Sequence, residues 1–121
     1  MNVVHLHTHD RAAGYLEFDR ARVRWFLSID YDTLPVEVQK EGKRIFRSIK
    51  VDDVQIDFSE GFEDLHTLSY KHILNGTGFN IVDALPAIEM VHNIRTQHPI
   101  GLKGDYHPYA MKPVKPHPFK L

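Results

Sequence analysis

The sequence contains no cysteine among its 121 residues, which excludes a disulfide scaffold, a thiolate metal site and a cysteine nucleophile. No apolar run approaches the roughly 20 residues that a membrane-spanning helix needs. The N-terminus lacks the basic start and continuous apolar block of a signal peptide. Lysine plus arginine (15) nearly balances aspartate plus glutamate (16), so no global field favours nucleic acid. These absences predict a cytoplasmic globular protein without membrane or nucleic-acid partners.

Catalytic motifs are also missing from the sequence. The Gly76-Thr77-Gly78 segment has no Gly-Lys-Ser/Thr step and does not follow a strand, so it is neither a phosphate-binding loop nor a dinucleotide site. No serine lies in a nucleophile elbow. We therefore expect no catalytic residue, no cofactor-binding residue and no metal ligand in this chain.

The first half of the chain alternates apolar and polar residues, which is typical of β-strands. The alternation predicts a first strand over Val3–Thr8, a hairpin from Gly14–Phe18 and Ala21–Ile29, and a second hairpin from Arg44–Val51 and Val54–Phe58. Asp52-Asp53 is the predicted turn of the second hairpin. Pro35 and Gly42 suit the start and end of a short helix between the hairpins.

Two amphipathic helices are predicted between Gly61 and Arg95. Asp64 is the expected N-cap of the first, which stops at Asn75-Gly76, and Asp83 is the expected N-cap of the second. Pro86 would then lie in a first turn, where its missing N–H costs no hydrogen bond. Strands followed by helices indicate an α+β fold, an antiparallel sheet with helices on one face.

The face of the predicted sheet opposite the helices is not purely polar, because it offers Tyr15, Phe26 and Phe46. An antiparallel sheet face in contact with water is normally more polar than this. We therefore expect this second face to pack against another subunit or another domain.

The character of the sequence changes at His98. Five of the seven prolines and a group of lysines follow this residue, namely Pro99, Lys103, Pro108, Lys112, Pro113, Lys115, Pro116, Pro118 and Lys120. The composition predicts a domain over residues 1–97 and an extended or mobile Pro/Lys-rich tail over residues 98–121, not a packed element.

Three groups of polar residues could bind a ligand. Arginines concentrate on the long strands and suit a phosphate or carboxylate, His66 and Tyr70 lie one helical turn apart, and alternating histidines at the N-terminus have a spacing that metal sites use. An ordinary surface or interface explains each group at least as well. On chemistry alone the substrate-side candidates are Arg24, Arg47, His66 and Tyr70, and the histidines of the metal alternative are His5, His7 and His9.

Five segments of the chain resemble the C-terminal end of a Gfo/Idh/MocA-type oxidoreductase: RVRWFLSIDYDTLP, FRSIKVDD, FSEGFEDLHTLSYKHILNGTGF, IVDALPAIEMVHNIR and GLKGDYHP. The resemblance covers roughly Asn2 to Pro108 and is most specific at Phe58–Thr67. The branch it most resembles is that of the UDP-N-acetyl-2-amino-2-deoxyglucuronate 3-dehydrogenases of O-antigen and lipopolysaccharide biosynthesis.

This resemblance implies a parent enzyme that oxidises a UDP-sugar at C3 with NAD. The family's N-terminal Rossmann domain, catalytic lysine and histidine motif have no counterpart here, so we expect an expressed fragment or a truncated reading frame. The chain would supply a substrate-side and oligomerisation sheet of a homo-oligomer and would not be catalytic alone. The alternatives are a stand-alone, non-catalytic dimerisation or ligand-binding module and, more weakly, a His5/His7 metal protein.

Overall fold

The computed structural model describes residues 1–60 and 63–119, and the chain divides into two compact units. Met1–Thr33 and Ala87–Leu121 form the first, here called the sheet unit, and Leu34–Pro86 forms the second, the hairpin unit. Gly61 and Phe62, which belong to the predicted helical stretch and to the most specific part of the resemblance, lie outside the described residues, as does Lys120 of the predicted tail.

The sheet unit is built on three antiparallel strands in the order β1-β2-β3. The strands are β1 (Asn2–His7), β2 (Arg11–Glu17) and β3 (Arg22–Ser28). The predicted pairing of the second and third segments is confirmed, with Gly14 opposite Trp25. A Cβ atom on Gly14 would lie 2.5 Å from the Trp25 ring and closer still to the Val3 carbonyl oxygen, so the indole packs directly over this glycine.

A β-bulge interrupts the pairing of β1 with β2 between Val4 and Leu6. Strict alternation over the predicted first strand would place Val3, His5 and His7 on one face; this expectation is wrong, because the register shift places Val3 opposite Tyr15 and His7 opposite Ala12. Val4 and His5 are consecutive yet both buried, at 0% and 3% exposure.

The two faces of the sheet differ in what covers them. Arg11, Ala13 and Tyr15 of β2 are buried and share a face with their partners on β3, which include Phe26. We call this the covered face. The opposite, open face includes Val23 and Leu27 of β3, which are 38% and 67% exposed.

The segment after His98 packs against the covered face and the edge of β1. The Ile100 amide donates to the Val4 carbonyl at 2.9 Å, and a 3-10 helix spans Pro108–Met111 with Ala110 only 4% exposed. The expectation that this segment is not a packed element is therefore wrong for its described part. The proposed domain boundary at residue 97 stays a prediction.

The hairpin unit contains α1 (Val36–Lys40), β4 (Ser48–Val51), β5 (Val54–Asp57) and α2 (Leu65–Leu74). The second hairpin is confirmed, although its strands are shorter than predicted. Asp52 and Asp53 form its turn with φ of 45° and 71°, the left-handed conformation that two-residue hairpin turns require.

The N-terminus of each long helix differs from the prediction. Asp64 precedes α2 as its N-cap residue, but in a left-handed conformation and without a side-chain capping bond. The helix α3 (Ile81–Thr96) begins earlier than expected, because Asn80 caps it. Asn80 Oδ1 accepts from the Asp83 amide at 3.1 Å, and Asp83 Oδ2 accepts from the Asn80 amide at 2.9 Å, which makes Asp83 the reciprocal partner of the cap.

Pro86 consequently lies inside α3 instead of in its first turn. Its missing N–H removes one hydrogen bond from the helix interior, so the expectation that it costs none is wrong. The apolar side chains of both long helices are largely exposed, as Leu68 (50%) on α2 and Ile88 (60%) on α3 show.

The predicted α+β class with antiparallel sheets is confirmed. Among residues 1–60 and 63–119, no helix has the length and hydropathy to span a membrane.

Candidate functional site

The four residues predicted on chemistry do not all belong to one unit. Arg24 lies on β3 in the sheet unit, whereas Arg47, His66 and Tyr70 lie in the hairpin unit. Arg47 is exposed just before β4, and its backbone amide donates to Ser59 Oγ at 2.8 Å. His66 and Tyr70 are exposed on α2, one turn apart as predicted. These four residues stay candidates for substrate contact.

Arg24 is bound by the C-terminal segment of its own unit. Its Nη1 lies 3.4 Å from Asp105 Oδ1, and both side chains are about half exposed. The pair is on the covered face of the sheet, because Arg24 lies opposite Tyr15. An anionic ligand would therefore have to compete with the Asp105 carboxylate for the Arg24 guanidinium.

A buried charge cluster fixes the same segment to the sheet at Arg11. The Arg11 side chain is fully buried; it contacts Asp10 at 3.2 Å and Asp30 at 2.9 Å, and its Nη1 donates to the Lys112 carbonyl at 3.0 Å. Charge-assisted hydrogen bonds of this kind are stronger than neutral ones. The cluster therefore joins two strand ends to a residue about a hundred positions away in sequence.

Asp30 is the centre of this cluster. Lys115 Nζ lies 3.2 Å from Asp30 Oδ1 and also contacts Asp32, and the Asp32 amide donates to Asp30 Oδ1 at 3.1 Å. Burial alone would raise the pKa of Asp30, but the Asp32 amide and the charges of Lys115 and Arg11 outweigh it and lower the pKa. Asp30 is thus held ionised.

An aromatic cluster lies next to the charge cluster on the covered face. His107 stacks on Phe26 at 5.7 Å between ring centroids, Tyr109 meets the edge of Phe26 at 5.8 Å, and Lys112 Nζ lies 4.3 Å from the centre of the Tyr109 ring. Burial, with a contribution from Arg24, lowers the pKa of His107. The aromatic residue Phe26, which had indicated a subunit interface, is covered by residues of the same chain.

His5 is also buried in the sheet unit. Its ring meets Tyr106 edge-on at 6.1 Å, and its Nδ1 is buried without a hydrogen-bond partner. Within the part of the chain that the structure describes, no three metal-binding side chains come together.

The residues that organise the covered face were not among the predicted site residues. Arg11 lies between two predicted strands, Asp30 directly follows one and Lys112 lies in the predicted tail, so all three look like ordinary surface charges in the sequence. The one available signal was the concentration of lysine after His98 opposite the acidic Asp30–Asp32 turn.

Two solved structures are similar to this chain. One is the WlbA (WbpB) dehydrogenase from Thermus thermophilus in complex with NAD and alpha-ketoglutarate, with 44% identity and a TM-score of 0.85 over 90% of this chain. The other is the same dehydrogenase in complex with NAD and UDP-GlcNAcA, with 43% identity and a TM-score of 0.84, again over 90%. The chain spans about a third of their length, 36% and 35% respectively. No family model matches the sequence.

Proposed function

We propose that this chain, which matches the C-terminal part of a Gfo/Idh/MocA-family dehydrogenase, is one part of an NAD-dependent nucleotide-sugar dehydrogenase. The reaction proposed for the whole enzyme is oxidation of UDP-N-acetylglucosaminuronate at C3, in lipopolysaccharide or O-antigen biosynthesis. The observation on which the proposal rests is the 44% identity over 90% of the chain. NAD would bind to a Rossmann domain outside the 121 residues, and the chain alone would not be catalytic.

Within that enzyme the chain would supply a sheet on the substrate side. The candidate contacts to the acidic sugar nucleotide are Arg24 and Arg47, since a guanidinium binds a carboxylate or phosphate through two parallel hydrogen bonds. His66 and Tyr70 would add hydrogen-bonding groups from α2. The exposed state of Arg47, His66 and Tyr70 in the chain supports their availability to a ligand.

A chimera tests the proposal directly. The matching third of the Thermus thermophilus WlbA dehydrogenase is replaced by this chain, and NADH formation with UDP-GlcNAcA is followed by absorbance. We expect activity within about tenfold of the parent, a change of ~1.4 kcal/mol or less in transition-state binding. A folded chimera that binds NAD but neither binds nor oxidises UDP-GlcNAcA would contradict the proposal.

Single substitutions in the chimera then test the substrate contacts. Loss of a charge-assisted contact costs about 1.5–3 kcal/mol, so Arg47→Ala should raise KM for the sugar nucleotide roughly 10- to 100-fold. Arg44→Ala is the matched control in the same segment before β4, and Arg22→Ala is the control for Arg24→Ala. An unaltered KM removes the substituted arginine from the site.

The second candidate function is a non-catalytic dimerisation or ligand-binding module, favoured by the open face of the sheet. Leu27 and Ile29 are 67% and 86% exposed there, which is the kind of surface that mediates subunit contact. Sedimentation of the chain and of Leu27→Asp tests this: dimers that the substitution dissociates support the module, and a monomer at high concentration contradicts it.

A further inference from the structure

The C-terminal segment contains the sequence His-Pro-aromatic twice, as His107-Pro108-Tyr109 and His117-Pro118-Phe119. In each case the histidine Nδ1 accepts the backbone N–H of the aromatic residue, at 3.1 Å and 3.0 Å. A neutral imidazole has one acceptor nitrogen, whereas a protonated imidazole has two donors and none. Both turns therefore keep this hydrogen bond only while the histidine is neutral.

Charge on His107 would also face a positive surface. Phe26 of β3 stacks on the His107 ring, and burial together with the charge of Arg24 on the same strand lowers the pKa of His107. Within its own segment the His107 ring meets Tyr109, and Lys112 lies over the Tyr109 ring. The nearby carboxylate, Asp105, is already paired with Arg24. Protonation of His107 would thus break the turn and add a third positive charge to this surface.

The second turn has its own titratable neighbour. His117 lies against His9 with 4.9 Å between ring centroids, and His9 Nε2 is 3.7 Å from Asp10 Oδ2. Phe119 meets His117 edge-on at 6.0 Å and is largely exposed. The second turn therefore meets the sheet unit through two imidazole rings, in a more solvated setting than the first turn.

Between the two turns, no histidine holds the segment to the sheet unit in the contacts of Arg11, Lys112 and Lys115. Arg11 donates to the Lys112 carbonyl, Lys112 Nζ donates to the Thr33 carbonyl at 2.7 Å, and Lys115 is bound to Asp30. The pKa of Lys115 is raised by its hydrogen bonds to Asp32 and Asp30, and that of Asp30 is lowered, so their charges persist when histidines become protonated.

We propose that residues 105–119 form an acid-released strap: protonation of His107 detaches its first end from the sheet unit, while Arg11 and Asp30 keep its middle bound. The pKa of His107 is lowered from 6.5, chiefly by burial. A base with a lowered folded pKa contributes stability that is complete above its unfolded value and is lost as the pH falls through the folded value. Release therefore begins below pH 6.5 and uncovers Phe26.

Amide hydrogen exchange of the 121-residue chain, followed by NMR together with the histidine ring resonances, tests the strap. Between about pH 7.5 and about pH 5.5, and after correction for the intrinsic rate, we expect the opening equilibrium at the Tyr109 amide to rise about three- to tenfold, as loss of one hydrogen bond predicts. The Phe119 amide should change less. The Thr33 amide, which reports the Asp30 cluster, and the Tyr15 amide should not change.

His107→Asn is the matched variant, since the Asn oxygen replaces the Nδ1 acceptor at the cap but does not take up a proton in this range. Exchange at Tyr109 should then be independent of pH, while His117→Asn should leave the Tyr109 response intact. An unchanged Tyr109 amide while the His107 ring titrates in the unsubstituted chain would overturn the proposal, even if the variant fails to fold. So would the full response persisting in His107→Asn, or equal release at Thr33.

Discussion

The sheet unit and the hairpin unit differ in what their own residues bury. The buried side chains of the described residues all belong to the sheet unit: Val4, His5, Arg11, Ala13, Tyr15, Thr33 and Ala110. In the hairpin unit, no residue among 34–60 and 63–86 is buried. The difference follows from the segment after His98, which gives the β1–β3 sheet a second layer, whereas β4 and β5 form an isolated two-stranded hairpin within their unit.

A two-stranded hairpin is marginally stable in water, because it buries little apolar surface. Ile49 and Val51 on β4 and Val54 and Ile56 on β5 are each more than half exposed. The hairpin unit therefore depends on surfaces outside itself far more than the sheet unit does. This fits a chain that spans about a third of the length of the dehydrogenases it matches.

The substitution expected to change stability most is Arg11→Met, in the sheet unit. Because the change leaves Asp10 and Asp30 without their buried cation and frees the Lys112 carbonyl, we expect the sheet unit to lose about 3–5 kcal/mol of unfolding free energy. Denaturant unfolding followed by the fluorescence of Trp25, the one tryptophan, measures the loss. The matched control is Arg22→Met, whose exposed pair with Glu17 should contribute under about 1 kcal/mol. Equal effects of the two changes would contradict the importance of the buried cluster.

Gly14→Ala is expected to have the next largest effect. The new methyl group would overlap the Trp25 ring and the Val3 carbonyl, so β2 must shift at a cost of about 1–3 kcal/mol. In the hairpin unit, the atoms nearest to a Cβ on Gly78 belong to Ile73 and lie at 3.1 Å and beyond, so Gly78→Ala should cost less. The two free energies of unfolding, measured side by side, test whether tight packing is confined to the sheet unit.

Much of the strand pairing could be predicted from the sequence, but not which face the chain covers. Alternation identified the residues that share a face of β3, since that depends only on the two-residue period. Val23 and Leu27, on the more apolar side of β3, are nevertheless exposed. The covered side is set by Arg11 and Lys112, whose contact joins positions 101 residues apart and leaves no local signal.

Local competition explains the remaining differences. Asn80 and Asp83 are both good N-cap residues, and the structure uses them together, so the sequence alone allowed either start of α3. The bulge at His5 places each later side chain of β1 on the opposite face of the sheet, and no residue type in the sequence indicates a bulge there. For the site, the chemistry of Arg24 was predictable, but its pairing with Asp105 was not, because proline-rich composition suggested an unpacked tail.

Acid should destabilise the sheet unit through its aspartates Asp30 and Asp10. The lowered pKa values of Asp30 and Asp10 mean that their stabilisation is complete above 3.8 and is lost as the pH falls through the folded values. We therefore expect Trp25 fluorescence to report a loss of stability below about pH 4 that Asp30→Asn makes shallower. An identical acid transition in this variant would show that other carboxylates control it.

The smallest expected effect is a gain, from Asp53→Gly in the hairpin turn. Glycine adopts the left-handed φ of 71° without a steric cost, so the free energy of unfolding of the β4–β5 hairpin should rise by about 0.4–1 kcal/mol. Loss of the exposed ion pair between Lys50 and Asp53 reduces this gain. Hydrogen exchange at the Val54 amide measures this gain. A loss of protection would mean that the aspartate side chain stabilises the turn.

Hydrogen exchange of the isolated chain and of the same residues within the dehydrogenase chimera tests the central contrast most directly. We predict that the amides of β1–β3 are protected in both proteins, whereas those of β4, β5 and α2 are weakly protected in the isolated chain and gain protection in the chimera. Equal protection of both units in the isolated chain would contradict the conclusion that the hairpin unit depends on surfaces outside itself.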